Sequence, residues 1–479
     1  MVKKRITDII IDKFQHKPTK GQYVLIDNIV NYIEDLLEKK SNSDEIFILK
    51  GYAGTGKTSI ISALVNSLPA LRLKSVLLAP TGRAAKVFAL YSGKSASTIH
   101  KKIYRQKTQN SDIAEFAIDQ NLHKNTLFIV DESSMISNSA FDNSPFGTGR
   151  VLDDLISYVY NGLGCKLILV GDTAQLPPVK LNISPALDIS VMKSMGFDVV
   201  EVELTDVVRQ SKESGVLHNA TMLRNRINNF IKGYPKLELD EFTDIVRLSG
   251  ADLIEEIDSC YNKYGIENTI VICRSNKRAN RFNEGIRRSI LWKEEELSTG
   301  DLLMIVKNNY YWLSEEDKIH TDFIANGDIV EIITIRKYKE LYGFRFADVT
   351  VRFLDYPELE IDVNIIIDTL TSETASLSQE QNSKLFYSVM EDYQKLKTKK
   401  AKIKAIKENP YFNALQVKFS YSVTCHKAQG GQWNAVFIDQ GWLIDDMLDV
   451  EYLRWLYTAF TRPIDKLYLV NFNKEFFEE

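Results

Sequence analysis

The segment Gly51–Thr58, which reads GYAGTGKT, constrains the fold more than any other part of this chain. It directly follows the apolar run Ile46–Leu49 and directly precedes residues with helical periodicity that begin at Ser59. Glycines at this spacing let backbone N–H groups close around phosphate oxygens, and the start of the following helix favours the same anion. The segment therefore predicts a phosphate-binding loop (P-loop) between a strand and a helix of an α/β domain.

The residues of the P-loop have separate predicted roles. Lys57 is expected to reach the β- and γ-phosphates of a nucleoside triphosphate, and the Thr58 hydroxyl is expected to bind Mg²⁺. The other predicted nucleotide contacts lie in the loop or in the first turn of the helix, and they are Gly51, Ala53, Gly54, Thr55, Gly56 and Ser59.

Three further apolar runs lack the alternation that half-exposed strands show, and they are Ser75–Ala79, Thr126–Val130 and Lys166–Val170. Such runs are typical of a parallel sheet that is covered on both faces. Ligands bind open sheets of this kind at the carboxyl ends of the strands. The polar residues that follow these runs are therefore candidates for the same site as the P-loop.

Three of these polar residues have predicted catalytic roles. Asp131 and Glu132 follow the second run; Asp131 is expected to hold Mg²⁺, and Glu132 to orient the attacking water. Gln175, which follows the third run together with Asp172, is expected to sense the γ-phosphate. These residues predict a nucleoside triphosphatase, but by themselves they do not distinguish a motor from a kinase or a GTPase.

The second half of the chain has the same pattern of apolar runs, but an inserted region separates them. Three apolar runs predict strands of a second α/β domain, and they are Asn268–Cys273, Ala435–Ile438 and Lys466–Val470. Between them, Ile329–Ile335 and Asp348–Phe353 carry alternating β-branched residues, which predict a small inserted β-barrel. A lysine-rich helical stretch follows at about 376–408. A solvated helix face is favoured there over a surface that tracks DNA.

Composition places the chain among globular proteins without naming a partner. Of its 479 residues, 44% are hydrophobic and 26% are charged. No apolar stretch reaches the length of about 18 residues that a membrane-spanning helix needs. We therefore expect a cytoplasmic protein without a membrane partner. The net charge of −4 decides nothing about nucleic acids, because phosphate contacts need only a few placed Lys and Arg residues.

Eight segments, in this order, resemble the motif series of superfamily 1 helicases, in particular the 5′-to-3′ subgroup with RecD-like and Dda-like enzymes. The segments are GYAGTGKTS, LLAPTGRAAKVF, STIHK, TLFIVDESSM, GDTAQLPPV, LTDVVRQ, SVTCHKAQG and LYTAFTR. The resemblance extends over nearly the whole chain. It implies that the nucleotide is ATP, that Gln22 reads the adenine, and that Arg209 and Arg462 approach the γ-phosphate from the second domain.

The same resemblance implies residues that contact DNA. In the first domain they are Pro80, Thr81, Arg83, Thr98, His100 and Lys101, and in the second they are Thr424, His426, Lys427 and Gln429. Short hydroxyl and amide donors suit phosphate contacts, which carry no sequence information. His100 and His426 have an alternative interpretation as structural histidines.

The resemblance also implies an α/β architecture of two RecA-like parallel-sheet motor domains. The predicted boundaries are 1–205 for the first domain, with an insertion at about 102–124, and 206–300 with 412–479 for the second. An SH3-like barrel and the lysine-rich segment fill 301–411. The insertion in the first domain is expected to be a small hairpin whose Phe116 separates the strands, although Phe116 packing the hairpin onto its own domain is an equal alternative.

The function implied is that of an ATP-dependent DNA helicase that moves 5′ to 3′ as a monomer on single-stranded and tailed duplex DNA. Two alternatives stay open at this point. One is an RNA helicase of the same superfamily, because no reader of the 2′-hydroxyl can be identified in the sequence. The other is a P-loop switch that uses ATP only to change shape.

Overall fold

The computed structural model describes residues 2–14, 16–38, 44–106, 116–139, 147–206, 214–314 and 323–477. In the first part of the chain the strands are β1 (Glu45–Gly51), β2 (Lys74–Ala79), β3 (Ala96–Thr98), β4 (Tyr104–Gln106), β5 (Phe116–Ile118), β6 (Thr126–Val130), β7 (Lys166–Gly171) and β8 (Asp198–Leu204). The helices are α1 (Val2–Lys13), α2 (Lys20–Glu38), α3 (Lys57–Ser67), α4 (Gly82–Ser92), α5 (Ile99–Ile103), α6 (Val151–Tyr160) and α7 (Ile189–Ser194).

Six of these strands form one parallel sheet in the order β3-β2-β6-β7-β1-β8. Its strands are apolar because helices cover both faces. In β1, Phe47 and Leu49 pack into one hydrophobic cluster with α1, α2 and α3, while Ile46 and Ile48 pack into another with α5 and α6. The four strands predicted in this domain are confirmed. The sequence patterns do not predict β8: it lies at the sheet edge, where residues such as Glu201, which pairs with Lys50, break the apolar run.

The second part of the chain begins with two strands, β9 (Ile245–Leu248) and β10 (Thr269–Cys273), and three helices, α8 (Gly215–Asn228), α9 (Leu253–Tyr264) and α10 (Asn276–Ser289). A closed barrel then follows, made of β11 (Leu302–Ile305), β12 (Ile329–Leu341), β13 (Phe344–Phe353), β14 (Glu360–Ile366) and β15 (Leu415–Phe419). The helices α11 (Asp368–Thr371), α12 (Gln379–Asp392) and α13 (Lys399–Lys407) lie between its last two strands.

The predicted inserted barrel is present, but its last strand lies beyond residue 411, where the predicted insertion ends. β15 pairs with β11 and with β14, so it closes the barrel. All five of its residues are buried, although Gln416 and Lys418 alternate with apolar residues, as in a strand with one exposed face. In the chain, three helices separate this strand from β14, so the sequence does not show that it belongs to the barrel. The lysine-rich helix α13 packs on the barrel through Ile406, while most of its lysines are exposed.

The chain then returns to complete a second parallel sheet with β16 (Ser422–Thr424), β17 (Trp433–Asp439) and β18 (Pro463–Val470) and the helices α14 (Cys425–Ala428) and α15 (Val450–Phe460). The order of this sheet is β16-β10-β17-β18-β9. The predicted α/β fold with two parallel sheets is therefore confirmed. The helix α15 packs on α8 and also reaches the first domain, where it contacts residues at the ends of β1 and β7.

Candidate active site

The P-loop connects β1 to α3 in the way the sequence predicts. Gly54 and Gly56 have φ angles of 77° and 83°, a backbone region that residues with a side chain rarely adopt. A Cβ atom on Gly51 would stand 3.0 Å from the Lys57 side chain, so glycine lets this lysine fold back across the loop. The Lys57 ammonium donates to the Tyr52 carbonyl at 2.9 Å. The loop is thus shaped around an inward lysine and is compatible with a bound triphosphate.

Two carboxylates stand next to the P-loop at the end of β6. Burial and the neighbouring Glu132 raise the pKa of Asp131 above its ordinary value, and Lys57 opposes this shift. A bound divalent cation stabilises a buried carboxylate of this kind, so Asp131 fits a Mg²⁺ ligand together with Thr58. Glu132 has a φ angle of 51°, and a non-glycine residue in this conformation costs about 1–3 kcal/mol. Such strain is typical of functional sites.

The end of β7 supplies the third polar group. Gln175 is 6% exposed, and its Oε1 is buried without a hydrogen-bond partner among the described residues. A buried carbonyl oxygen without a partner is costly, so a ligand or a water molecule is expected to supply one. Asp172 is also buried, but its carboxylate accepts hydrogen bonds from the Tyr457 hydroxyl at 2.7 Å and from the Ala174 N–H at 2.9 Å.

Arg462 brings a guanidinium from the second domain into this site. Its Nη1 lies 4.0 Å from Oε1 of Glu132, and the residue is 4% exposed. Hydrogen bonds to the Thr458 carbonyl and the Thr461 hydroxyl hold the guanidinium in place. The second predicted arginine, Arg209, lies outside the described residues. The structure therefore brings together Lys57, Asp131, Glu132, Gln175 and Arg462, although these residues are far apart in the sequence.

These residues line one cleft of about 1010 Å³ between the two parallel-sheet domains. The predicted contacts Ala53, Gly54, Gly56, Lys57, Thr58 and Ser59 line it as well. Gln22 and Thr55 are buried behind the loop instead. The Gln22 amide donates to the Thr55 carbonyl at 3.0 Å, and its oxygen accepts the Thr19 N–H at 3.0 Å. In this arrangement Gln22 supports the P-loop backbone, and its predicted reading of adenine stays a prediction.

The predicted DNA contacts of the first domain have structural roles of their own. Thr81 caps α4 by accepting the Ala84 N–H, Thr98 caps α5 by accepting the Lys101 N–H, and Pro80 precedes the first of these caps. Burial lowers the pKa of His100 to about 4, so its imidazole is neutral at pH 7. A neutral histidine agrees with the structural interpretation of this residue.

Arg83, another predicted DNA contact, binds residues of the second domain. Its guanidinium stacks on the Trp433 indole at 4.3 Å from the ring centroid and donates to the Gln432 carbonyl at 3.3 Å. Gly431 has no side chain to obstruct this approach, since a Cβ there would stand 2.8 Å from the Arg83 Nε. Arg83 thus joins the first domain to the second. Sequence motifs do not reveal this contact, because it joins residues 350 positions apart.

The predicted DNA contacts of the second domain cluster at β16 and α14. Thr424 precedes α14, His426 is exposed, and Gln429 donates to the Leu176 carbonyl at 2.7 Å. The Lys427 ammonium is buried without a hydrogen-bond partner among the described residues. Burial, and secondarily Lys418, lower its pKa to about 8. A lysine in this state gains stability from an anion, which agrees with its predicted phosphate contact.

The hairpin of the first domain is present as the antiparallel pair β4 and β5. The predicted turn at 108–112 lies outside the described residues. The Phe116 ring packs 4.8 Å from the ring of Tyr310, which precedes the second strand of the barrel. Phe116 also packs against the core of its own domain. The ring therefore bridges the hairpin to the inserted domain, and its role in strand separation stays a prediction.

Two residues that sequence reasoning missed complete the site. Tyr52 of the P-loop donates to Glu203 at 2.8 Å and accepts from Asn228 of α8 at 2.9 Å, while Arg224 stacks on its ring. Tyr457 of α15 accepts the Ala53 N–H at 3.0 Å. In the sequence both read as ordinary aromatic core residues, so only their contacts reveal them.

Comparison with known proteins agrees with this geometry. The model of an AAA domain family matches residues 34–234, which hold the first sheet, and that of the UvrD-like helicase C-terminal domain matches residues 419–470 in the second. The two matches, in this order along the chain, support a superfamily 1 helicase. This helicase is 26% identical over 324 residues to the ATP-dependent DNA helicase dda of Enterobacteria phage T4, covering 66% of this chain and 67% of that protein.

Other relatives of this helicase differ in extent. The ATP-dependent RecD2 DNA helicase of Deinococcus radiodurans is 29% identical over 177 residues, which are 36% of this chain and 21% of that protein. Among solved structures, the Pif1 helicase from Bacteroides in complex with ADP-AlF3 and ssDNA is 16% identical, with a TM-score of 0.46 and 94% of each chain covered. Among the described residues of this helicase, no helix combines the length and apolarity needed to cross a bilayer.

Proposed function

We propose that this helicase uses ATP hydrolysis in the cleft between its parallel-sheet domains to move 5′ to 3′ along single-stranded DNA and to separate duplex DNA. The observation that carries the proposal is Arg462 of the second domain, 4.0 Å from Glu132 beside the P-loop of the first. An arginine supplied across a cleft stabilises charge at the γ-phosphate only when both domains are in place. Hydrolysis is then tied to the relative position of the domains.

Each residue of the cleft has a separate role in ATP hydrolysis. Glu132 orients a water molecule, whose oxygen bonds to the γ-phosphorus as the bond to the bridging oxygen of ADP breaks. Lys57 and Arg462 stabilise the negative charge on the phosphate oxygens, and the Gln175 oxygen can accept a hydrogen bond from the water. The proton that the water loses passes to the Glu132 carboxylate. Thr58 and Asp131 would hold Mg²⁺, which when bound neutralises phosphate charge.

Closure of the cleft gives the motor its step in this proposal. The predicted DNA contacts of the two domains lie on separate structural units, near α4 and α5 in one and near α14 in the other. A change in the distance between the domains therefore changes the distance between the two sets of contacts. A strand held alternately by the two sets would move relative to the protein. A switch that never moves along DNA would not need two separate sets of phosphate contacts.

Stimulation of ATP hydrolysis by a single strand distinguishes the motor from its alternatives. We expect poly(dT) to raise the ATPase rate many-fold and poly(U) to raise it much less, measured at matched nucleotide concentration and at one salt concentration, because phosphate contacts depend on salt. Stronger stimulation by poly(U) would favour an RNA helicase, and equal stimulation would contradict a preference for DNA. No stimulation by either polymer would favour the P-loop switch.

The hairpin supports a prediction about strand separation. Replacing residues 107–113 by a short Gly-Ser link should leave DNA-stimulated ATPase and single-strand translocation nearly intact while unwinding falls sharply, because only unwinding needs a wedge. Duplex unwinding and single-strand translocation are measured on the same preparation. The same link placed at residues 395–398, between α12 and α13, serves as the control. Should unwinding survive the change in the hairpin, the wedge lies elsewhere, with the barrel as the next candidate.

A further inference from the structure

The helix α15 attaches to the first domain through side chains of neighbouring turns. Arg454 donates to the Thr173 and Gln175 carbonyls, and the Thr458 hydroxyl accepts the Leu176 N–H at 2.8 Å. Both of these contacts are with the loop that follows β7. Tyr457 makes a different contact, since its hydroxyl accepts the Ala53 N–H at 3.0 Å. This is the one hydrogen bond that joins the described part of α15 to the P-loop.

The direction of the hydrogen bonds at Tyr457 is fixed. A phenol has one proton, and Tyr457 donates it to Asp172 at 2.7 Å, so the oxygen must accept from Ala53. The ring is buried, at 1% exposed, and burial together with Asp172 raises the pKa of the hydroxyl, which therefore keeps its proton. The hydroxyl holds three elements together: the P-loop, the end of β7 and α15.

The same helix leads directly to the arginine of the site. α15 ends at Phe460, the Thr461 N–H donates to the Tyr457 carbonyl at 3.1 Å, and the Arg462 Nε donates to the Thr458 carbonyl at 3.0 Å. Tyr457 and Arg462 are thus connected through the hydrogen-bonded last turn of α15 and the residues that follow it. A shift of Tyr457 relative to the P-loop therefore shifts Arg462 relative to Glu132.

We propose that the Tyr457 hydroxyl is a positioning group, which fixes α15 on the P-loop and thereby sets where Arg462 stands relative to Glu132 and the γ-phosphate. The inference rests on the proposed ATPase activity and assigns no chemical step to Tyr457. Two simpler roles are possible for this residue. It could act on the P-loop directly, through Ala53, or it could only stabilise the contact between the domains.

A double-mutant cycle separates these roles. Tyr457→Phe keeps the ring and removes the hydroxyl, and we expect kcat of the DNA-stimulated ATPase to fall about tenfold with the affinity for ATP little changed. In the Arg462→Ala background the same change should have no further effect on the rate, measured in single turnovers, because the group it positions is absent. An equal loss in both backgrounds, or a main effect on ATP affinity, would overturn the inference.

A matched control lies on the same helix. Tyr452 also has a buried hydroxyl, but without a hydrogen-bond partner among the described residues, so Tyr452→Phe should leave the rate unchanged. Thermal melting of each variant shows whether it is folded, and Asp172→Asn, which weakens the same bond from the acceptor side, repeats the cycle if Tyr457→Phe does not fold. Absence of ATP hydrolysis by the wild-type protein would contradict the proposed function, whereas hydrolysis with additive effects contradicts this inference alone.

Discussion

Glu132→Gln is expected to bind ATP normally and to lose hydrolysis almost completely. The substitution keeps the shape of the side chain at the end of β6 but removes the charge that orients the attacking water, and a group in this role contributes about 10³-fold to the rate. The strained backbone of Glu132, with φ at 51°, is the same for glutamine, so the fold is not expected to change. Binding of a fluorescent ATP analogue and kcat of the DNA-stimulated ATPase are the two measurements.

Two further variants serve as a comparison and a control for Glu132→Gln. Lys57→Ala should weaken nucleotide binding as well as abolish turnover, since we expect the lysine to contact the phosphates in both the bound and the reacting state. Glu284→Gln changes an exposed glutamate of α10 that pairs with Arg288, and it should leave both properties unchanged. Hydrolysis by Glu132→Gln at the wild-type rate would assign the water-orienting role to another residue, with Gln175 the first to test.

Arg462→Ala should lower kcat of the DNA-stimulated ATPase by about 10³-fold, with a smaller effect on ATP affinity. The guanidinium is buried in the cleft and is held by its own domain, so it can stabilise transition-state charge without reorganising. Arg209→Ala is predicted to have a similar effect from its sequence motif. Arg288→Ala, at an exposed position of α10, is the matched control. Unchanged kcat in both Arg462→Ala and Arg209→Ala would contradict hydrolysis at a site shared by two domains.

Removal of Arg462 also has an expected effect on Glu132. The two side chains are 4.0 Å apart, and the pair is largely buried, so the loss of one charge leaves the other without its partner. The double variant with Glu132→Gln should therefore be less impaired than the sum of the two single effects predicts. A sum that adds fully would mean that the two residues act independently.

Much of the fold can be predicted because buried parallel strands have a clear signature. β1, β6, β7 and β10 are apolar on both faces, and the sequence predicts each of them. The strand β8 escapes prediction because an edge position lets glutamates alternate with valines. β15 alternates apolar and polar residues and closes the barrel, but three helices separate it from β14 in the chain, and the predicted boundary at residue 411 is therefore too early.

The active site also has a part that the sequence predicts and a part that it does not. Lys57, Asp131, Glu132 and Gln175 follow strands of one sheet, and this pattern is sufficient to predict that they lie together in one cleft. The contacts of Arg83 with Trp433 and of Tyr457 with Ala53 depend on how two domains meet. No local sequence pattern encodes such a contact, because its two residues are hundreds of positions apart. The residues that flank each of them in the sequence do not identify the partner.

One unwinding assay tests most directly whether the chain is an ATP-driven motor with a direction on DNA. Two duplexes of identical sequence are compared, one with a 5′ single-stranded tail and one with a 3′ tail, each with ATP and with the Glu132→Gln variant as the inactive control. We predict that the wild-type protein unwinds the 5′-tailed duplex efficiently and the 3′-tailed duplex poorly, and that the variant unwinds neither. Preference for the 3′ tail, or unwinding that does not depend on ATP, would contradict the account.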